Sequence, residues 1–259
     1  MSQTLPVESY QKDIEYLIKN HSAIILTAET GAGKSTMVPY WMRRKGYAVT
    51  VTQPRRIAAR SLATYLAKKH AVQLGAAIGY QTGFERKMSR ETRLLFVTDG
   101  VQMVREIKGN RHSDILILDE IHEWNLNQEV LIGLVKKKLD SGYYKKSRKK
   151  VIVMSATLQA KQLSHFLNDA PIIEIPGRGY PVTLHNHHRD CALADTVELV
   201  RSERNVLVFQ PGKKEIADFK EMLEETLKAD KLKAKILPLH SEISTKEQSD
   251  VFNHYPHPK

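Results

Sequence analysis

Residues 23–36 read AIILTAETGAGKST. An apolar run, Ala23 to Leu26, leads into a Gly-rich turn, and Lys34-Ser35-Thr36 opens a helical stretch through Pro39, Trp41 and Met42. The order is strand, phosphate loop, helix. Gly31 and Gly33 carry no side chain to exclude unusual backbone angles, so successive N–H groups can converge on one anion. The helix that starts near Lys34 points its positive dipole end at the same place. Lys34 is placed to reach the β- and γ-phosphates of a nucleoside triphosphate, and the Ser35 hydroxyl to hold Mg²⁺. Glu29, Thr30, Ala32 and Thr36 complete the candidate loop. The pattern asks for Gly where this chain has Ala28, the smallest replacement.

Outward from this stretch, apolar runs alternate with amphipathic ones. Residues 7–19 have helical spacing. Residues 48–53 (AVTVTQ) are rich in β-branched side chains and are stopped by Pro54. Residues 56–70 read as a helix, 93–98 as a strand and 100–107 as a helix. Residues 114–118 (DILIL) form an apolar strand ending in Asp119-Glu120. Residues 130–139 are helical, 150–154 (KVIVM) are a strand ending in Ser155-Ala156-Thr157, 159–167 are helical and 172–175 are a short strand. Such alternation implies an α/β fold with a parallel sheet, whose ligands sit at the carboxyl ends of the strands. ETGAGKST, TQPRR, TDG, DEIH and SAT each follow a strand, which places them along one edge. The stretch Pro176-Gly177-Arg178-Gly179-Tyr180-Pro181 is the candidate linker. Beyond it the alternation restarts, with helices over 194–201 and 213–228, strands over 205–210 and 235–239, and a helix from Thr245. The domain division read this way is 1–177 and 178–259.

The chain has 259 residues, 40 Lys+Arg against 29 Asp+Glu and a net charge of +11, a balance that favours a polyanionic partner such as nucleic acid. The single cysteine, Cys191, excludes an internal disulfide and suits a reducing compartment. Neither a leader-like N-terminus nor an apolar run near the ~20 residues of a membrane span is present, so a cytoplasmic protein, or a nuclear one in a eukaryote, is expected.

A carboxylate after a buried strand can hold Mg²⁺ opposite Ser35, and a second one can orient or deprotonate an attacking water. Asp119 takes the first role and Glu120 the second. Arg55 and Arg56 follow a strand near a helix start and can meet phosphates, or one of them can pair with a local carboxylate. Thr98 and Gly100 offer a hydroxyl and a close backbone approach. His185, His187 and His188 lack the spacing of a metal site. The run KKSRKK at 145–150 reads most simply as a solvated basic loop, and Lys136 to Lys138 as the solvent face of a helix.

GAGKST, TQPRR, TDG, DEIH, MSAT and LVFQPG occur in this order in the DEAH/DExH-box RNA helicases of superfamily 2, which the chain resembles from Leu5-Pro6 to Phe252. The resemblance implies two RecA-like lobes with ATP in the cleft and single-stranded RNA crossing both. It implies an ATPase set of Lys34, Ser35, Asp119 and Glu120, with His122 linking ATP to the second lobe. It assigns coupling to Ser155 and Thr157. It assigns backbone contacts with RNA to Pro54, Arg55, Arg56, Thr98, Asp99 and Gly100, and to Gln210 and Gly212 around Pro211 in the second lobe. Where the family commonly has Arg in GYxxRFE, this chain has Gly83. Tyr65 stands where an adenine-stacking Arg is common, and can either stack or join the core. Phe252 looks like the aromatic that closes on the base, or is a core phenylalanine. A Thr-rich and an Arg-rich motif are expected after Phe252, and the sequence given ends before them. Because an arginine finger contributes about 10³ or more in rate, this chain alone is expected to hydrolyse ATP weakly and not to unwind RNA. A monomer acting on RNA, single-stranded or duplex with an overhang, is expected, with DNA and a protein activator left open. Two other readings stand beside it. One is a non-catalytic, nucleotide-dependent binding module. The other is a small-molecule kinase, which has no use for TQPRR or SAT.

Overall fold

The computed structural model describes residues 4–109, 113–156, 160–177, 182–186, 191–240, 242–251 and 253–259. The chain divides into two compact units, Met1–Tyr180 and Pro181–Lys259. Residues 178–181 of the candidate linker, together with Thr157, His187, His188 and Phe252, lie outside the described residues.

The first unit begins with a 3₁₀ turn, Pro6–Tyr10, and α1 (Gln11–Asn20). There follow β1 (Ala23–Ala28), α2 (Lys34–Arg44), β2 (Val49–Gln53), α3 (Arg56–Lys69), β3 (Ile78–Gln81), β4 (Arg86–Lys87), β5 (Leu94–Thr98) and α4 (Asp99–Ile107). The unit continues through β6 (Ile115–Leu118), α5 (Leu126–Asp140), α6 (Tyr143–Ser147), β7 (Lys150–Ser155), α7 (Ala160–Phe166) and β8 (Ile172–Ile175). The eight strands form one sheet in the order β4-β3-β5-β2-β6-β7-β1-β8. All pairs are parallel except β3–β4. This is a RecA-like α/β layer, as the alternation of the sequence implies.

Successive residues of each strand face opposite sides, so a strand buried on both faces must be apolar throughout. Ile24 and Leu26 of β1 pack with Val38, Trp41 and Leu66 from α2 and α3. Ala23 and Ile25 turn the other way, toward Leu131, Val135 and Leu163 of α5 and α7. The register brings Gln53 beside Thr98 and Thr27 beside Ser155. The five strands that end in candidate motifs are consecutive in the sheet, so the motifs share one carboxyl edge.

Three elements are absent from the sequence reading: β3, β4 and α6. The hairpin of β3 and β4 depends on Gly79, where a Cβ would stand 2.4 Å from the Lys87 carbonyl oxygen. A glycine inside a short, partly polar strand is a weak strand signal, yet here it is what lets the partner backbone approach.

The second unit holds α8 (Ala192–Arg201), α9 (Lys213–Ala229) and α10 (Thr245–Asp250). Val197 and Val200 pack on Leu223 and Leu227, with Val206, Ala234 and Ile236 against them. The strands expected over 205–210 and 235–239 are not formed. Burial alternates along 205–210 but not along 235–239, and the two segments do not pair with each other. The Val206 N–H donates to the Lys259 carbonyl at 2.9 Å and the Lys235 N–H to the Pro258 carbonyl at 2.8 Å. Side-chain period alone specifies an extended segment, and a strand also needs its ladder.

Candidate nucleotide site and the adjoining basic edge

The phosphate loop leaves β1 and enters α2 through two left-handed glycines, Gly31 (φ 86°) and Gly33 (φ 89°). Behind the loop lies the N-terminal turn. The Val7 N–H donates to the Ala32 carbonyl at 3.1 Å, and a Cβ on Gly33 would stand 2.7 Å from Leu5 Cδ1 and 3.2 Å from Val7 Cγ1. We therefore predict that Gly33→Ala costs about 1–2 kcal/mol of stability from the backbone angle alone, with the tight contacts adding to it. Gly31→Ala meets open space and bears only the backbone cost. Thermal unfolding of the two variants side by side checks the order. The Thr36 hydroxyl donates back to the Gly33 carbonyl at 3.1 Å and so closes the loop on the helix.

Lys34 is only 3% exposed, and its Nζ lies 3.7 Å from Oε1 of Glu120. The other carboxylate oxygen of Glu120 is 3.4 Å from Nε2 of His122. The Ala156 N–H donates to Nδ1 of His122 at 3.3 Å. An Nδ1 that accepts leaves the proton on Nε2, facing Glu120, so both neighbours fix the same imidazole tautomer. Glu120 is also held in the left-handed region, φ 55°, a strained conformation for a side-chain-bearing residue. Lys34, Glu120, His122 and Ala156 thus form one contact series across the ends of β1, β6 and β7. Ser155, at the end of β7, is buried beside it.

Asp119 is completely buried. Burial, and secondarily the Glu120 charge, push its carboxyl up to about 6, while the Ser35 hydroxyl, the Lys34 ammonium and the Gln53 amide pull it down. Gln53 Nε2 donates to its Oδ2 at 2.6 Å. A buried carboxylate with a hydroxyl beside it and an acidic neighbour suits a hard divalent cation shared with phosphate oxygens. Asp119 and Ser35, with Glu120 adjoining, fit Mg²⁺ on that ground. The sign of the pH effect follows. Because the folded pKa is raised, the carboxyl holds its proton until about pH 6, and below that it cannot serve a cation. Affinity for the Mg²⁺–nucleotide complex is expected to fall about tenfold per pH unit below 6, with a lower midpoint in Glu120→Gln. Calorimetric titrations of both proteins across this range check it.

The structure also places residues that the sequence reading passed over. Gln53, the last residue of β2, secures Asp119. Asn125 and Gln128 make a capping box at the start of α5. Asn125 Nδ2 donates to Asp99 Oδ2 at 2.9 Å, and Gln128 Nε2 donates to the Glu120 carbonyl at 3.2 Å. This box ties the TDG turn to the DEIH turn. The signal was present in the sequence as N-x-x-Q after DEIHEW, a variant of a helix-start pattern.

Along the rest of the edge the candidates separate. The Asp99 side chain is buried and its carboxyl is raised by burial, so it faces the protein interior. Gly100 would accept a Cβ at 3.6 Å from Asn127, so no backbone approach requires glycine there. Thr98 makes no side-chain cap to α4. Arg55 meets Glu123 at 3.4 Å, the local carboxylate pairing that its position left open. Arg56 stacks on Phe84, 4.9 Å from Cζ to the ring centroid. Tyr65 is half exposed under Lys69 Nζ, 5.7 Å from its centroid, and is not a core residue. In the second unit Gln210 is half-buried and Gly212 is extended at the start of α9.

The two discounted basic runs make local contacts. Lys138 forms a mostly buried ion pair with Glu106 and is not on a solvent face. In the 145–150 run, Lys150 belongs to β7, and its ammonium donates to the His21 carbonyl at 2.9 Å. That end of β7 is its amino end, opposite the edge that carries the site. Among the described residues no three His, Cys, Asp or Glu side chains cluster as metal ligands. No described helix is long and apolar enough to cross a membrane.

A glycine-built phosphate loop after β1, with an Asp-Glu pair at the end of β6 one strand beyond β7, defines a P-loop nucleoside-triphosphate-binding protein. The DEAD/DEAH box helicase profile matches residues 8–166. The chain belongs to the DEAD/DEAH box helicase family. It is 33% identical over 268 residues to the ATP-dependent RNA helicase HrpA homolog of Haemophilus influenzae, covering 97% of this chain and 20% of that protein. It is 32% identical over 274 residues to the probable ATP-dependent RNA helicase DHR2 of Saccharomyces cerevisiae, covering 97% of this chain and 37% of that one. To the ATP-dependent RNA helicase HrpA of Escherichia coli it is 34% identical over 268 residues, covering 96% and 20%. The chain thus spans between about a fifth and somewhat over a third of the length of these relatives.

Proposed function

We propose that the chain is the nucleotide-driven motor core of an ATP-dependent RNA helicase. The reading rests on one observation above all, the unbroken contact series from Lys34 through Glu120 and His122 to the backbone of Ala156. A series of that kind gives a nucleotide-binding residue a physical route to SAT. The names of the relatives favour RNA as the track.

The loop N–H groups and Lys34 bind the phosphates of ATP, and Lys34 offsets their charge in a site where water is scarce. Asp119 and Ser35 hold Mg²⁺, which when bound neutralises charge on the phosphate oxygens. Glu120 orients the attacking water and accepts its proton on the carboxylate. When that proton arrives, Glu120 loses the charge that attracts both Lys34 and the Nε2–H of His122. His122 passes the change to Ala156 and Ser155. In this reading residues 1–177 are the first RecA-like lobe and 178–259 begin the second. Pro54, Arg55, Arg56, Thr98 and Gly100 line the RNA side of the first, and Gln210 and Gly212 serve the second. Tyr65, half exposed on α3, is the first unit's candidate to stack on the adenine.

His122→Ala tests the route. Nucleotide and RNA each bind the variant, but binding of one no longer alters the affinity for the other, as reciprocal linkage requires. Undiminished linkage in this variant, measured by RNA titrations with and without nucleotide, would remove His122 from the mechanism.

A further inference from the structure

Phe84 is 83% exposed, among the most exposed large apolar side chains described. It stands in the turn between β3 and β4, and β3 runs parallel to β5, so the turn lies at the same carboxyl edge as Thr98 and Arg55. The turn is firmly built. The Phe84 and Glu85 N–H groups donate to the Thr82 hydroxyl at 3.4 and 3.1 Å, and the Thr82 N–H donates to the Glu85 carbonyl at 2.8 Å. The Tyr80 hydroxyl donates to Glu85 at 3.0 Å, and Arg105 to Gln81 at 2.6 Å. A ring held outward on such a turn loses little conformational freedom when a ligand lands on it.

The Arg56 guanidinium lies over the ring at 4.9 Å from its centroid. Gly83, the preceding residue, adds no side chain to cover it, and a Cβ at that position would meet nothing within 4 Å. Exposed Arg86 and Lys87 follow on β4, and Arg55 adjoins Arg56. An aromatic ring stacked with a guanidinium among further cations matches a nucleotide unit, with the base against the ring and the phosphate against the cations.

We propose that Phe84, braced by Arg56, is a stacking platform for one base of a single strand passing along this edge. The proposal rests on the RNA-track reading and adds to it a contact with a base where the motif residues contact only the backbone. Stacking is indifferent to base identity, so the platform grips the strand without reading its sequence.

The test is fluorescence anisotropy of single-stranded oligonucleotides, in ribose and deoxyribose forms, at several salt concentrations. Phe84→Ala is expected to weaken binding about 5- to 150-fold, the range of one stacked base, while Phe84→Trp preserves it. The salt slope stays unchanged in Phe84→Ala and falls in Arg56→Ala, because only the latter removes a phosphate partner. On an oligonucleotide with abasic sites, Phe84→Ala and the parent bind alike. Wild-type affinity for ordinary strands in Phe84→Ala, or a loss that persists on the abasic strand, overturns the platform alone. Failure of the parent to bind either strand overturns the RNA-track reading and the platform with it. Equal ribose and deoxyribose effects mark the base as the contact, and an effect confined to ribose overturns the stacking assignment.

Discussion

Lys34→Ala is expected to lose nucleotide binding by about two to three orders of magnitude, within the ~2–5 kcal/mol that truncating one partner of a buried charge pair costs in binding. The effect is large because of where the lysine sits. Its ammonium is nearly excluded from water, and its recorded ion pair is with Glu120, at 3.7 Å. Alanine leaves Glu120 facing the phosphates without the ammonium that offset its charge, so repulsion adds to the lost attraction. Lys34→Arg should not rescue, since the larger fork has no room to relax in a site this buried. Calorimetric titration with ATP and Mg²⁺ measures the loss, and binding within threefold of the parent would place the phosphates elsewhere.

Glu120→Gln is expected to do the reverse of Lys34→Ala: binding survives and turnover does not. The amide keeps the shape of the carboxylate but cannot take a proton from water, which should lower turnover about 10²- to 10⁴-fold. Affinity for Mg²⁺–ATP is expected to hold or rise, because the Glu120 charge is one of the forces that raise the Asp119 carboxyl. Removing it makes Asp119 a better anion near pH 6. A variant that binds poorly and turns over normally would assign the water to another base.

The first unit was legible in the sequence where a short apolar or β-branched run ends in polar residues. β1, β2, β5, β6 and β7 all have that form, and their order along the chain was enough to put the motifs on one edge. What escaped was set by contacts between distant segments. Gln53 looks like the end of a strand until β6 brings Asp119 within 2.6 Å of it. Asp99 lies in a motif read as RNA-facing, yet the Asn125 cap draws its side chain inward. Lys138 belongs to a run that looks solvent-facing, and only the packing of α4 beside α5 supplies Glu106. The segments at 205–210 and 235–239 are apolar enough to read as strands, and whether they pair could not be read from that.

In the proposed function nucleotide and RNA sense each other through this chain. The most direct measurement is the affinity of the chain for single-stranded RNA without nucleotide, with ADP and with a non-hydrolysable ATP analogue. The affinities are expected to differ between these states by about 5- to 150-fold, the ordinary range of coupling between sites, with the same factor when nucleotide is titrated in the presence of RNA. Equal RNA affinity in all three states, with nucleotide shown to be bound, would contradict it.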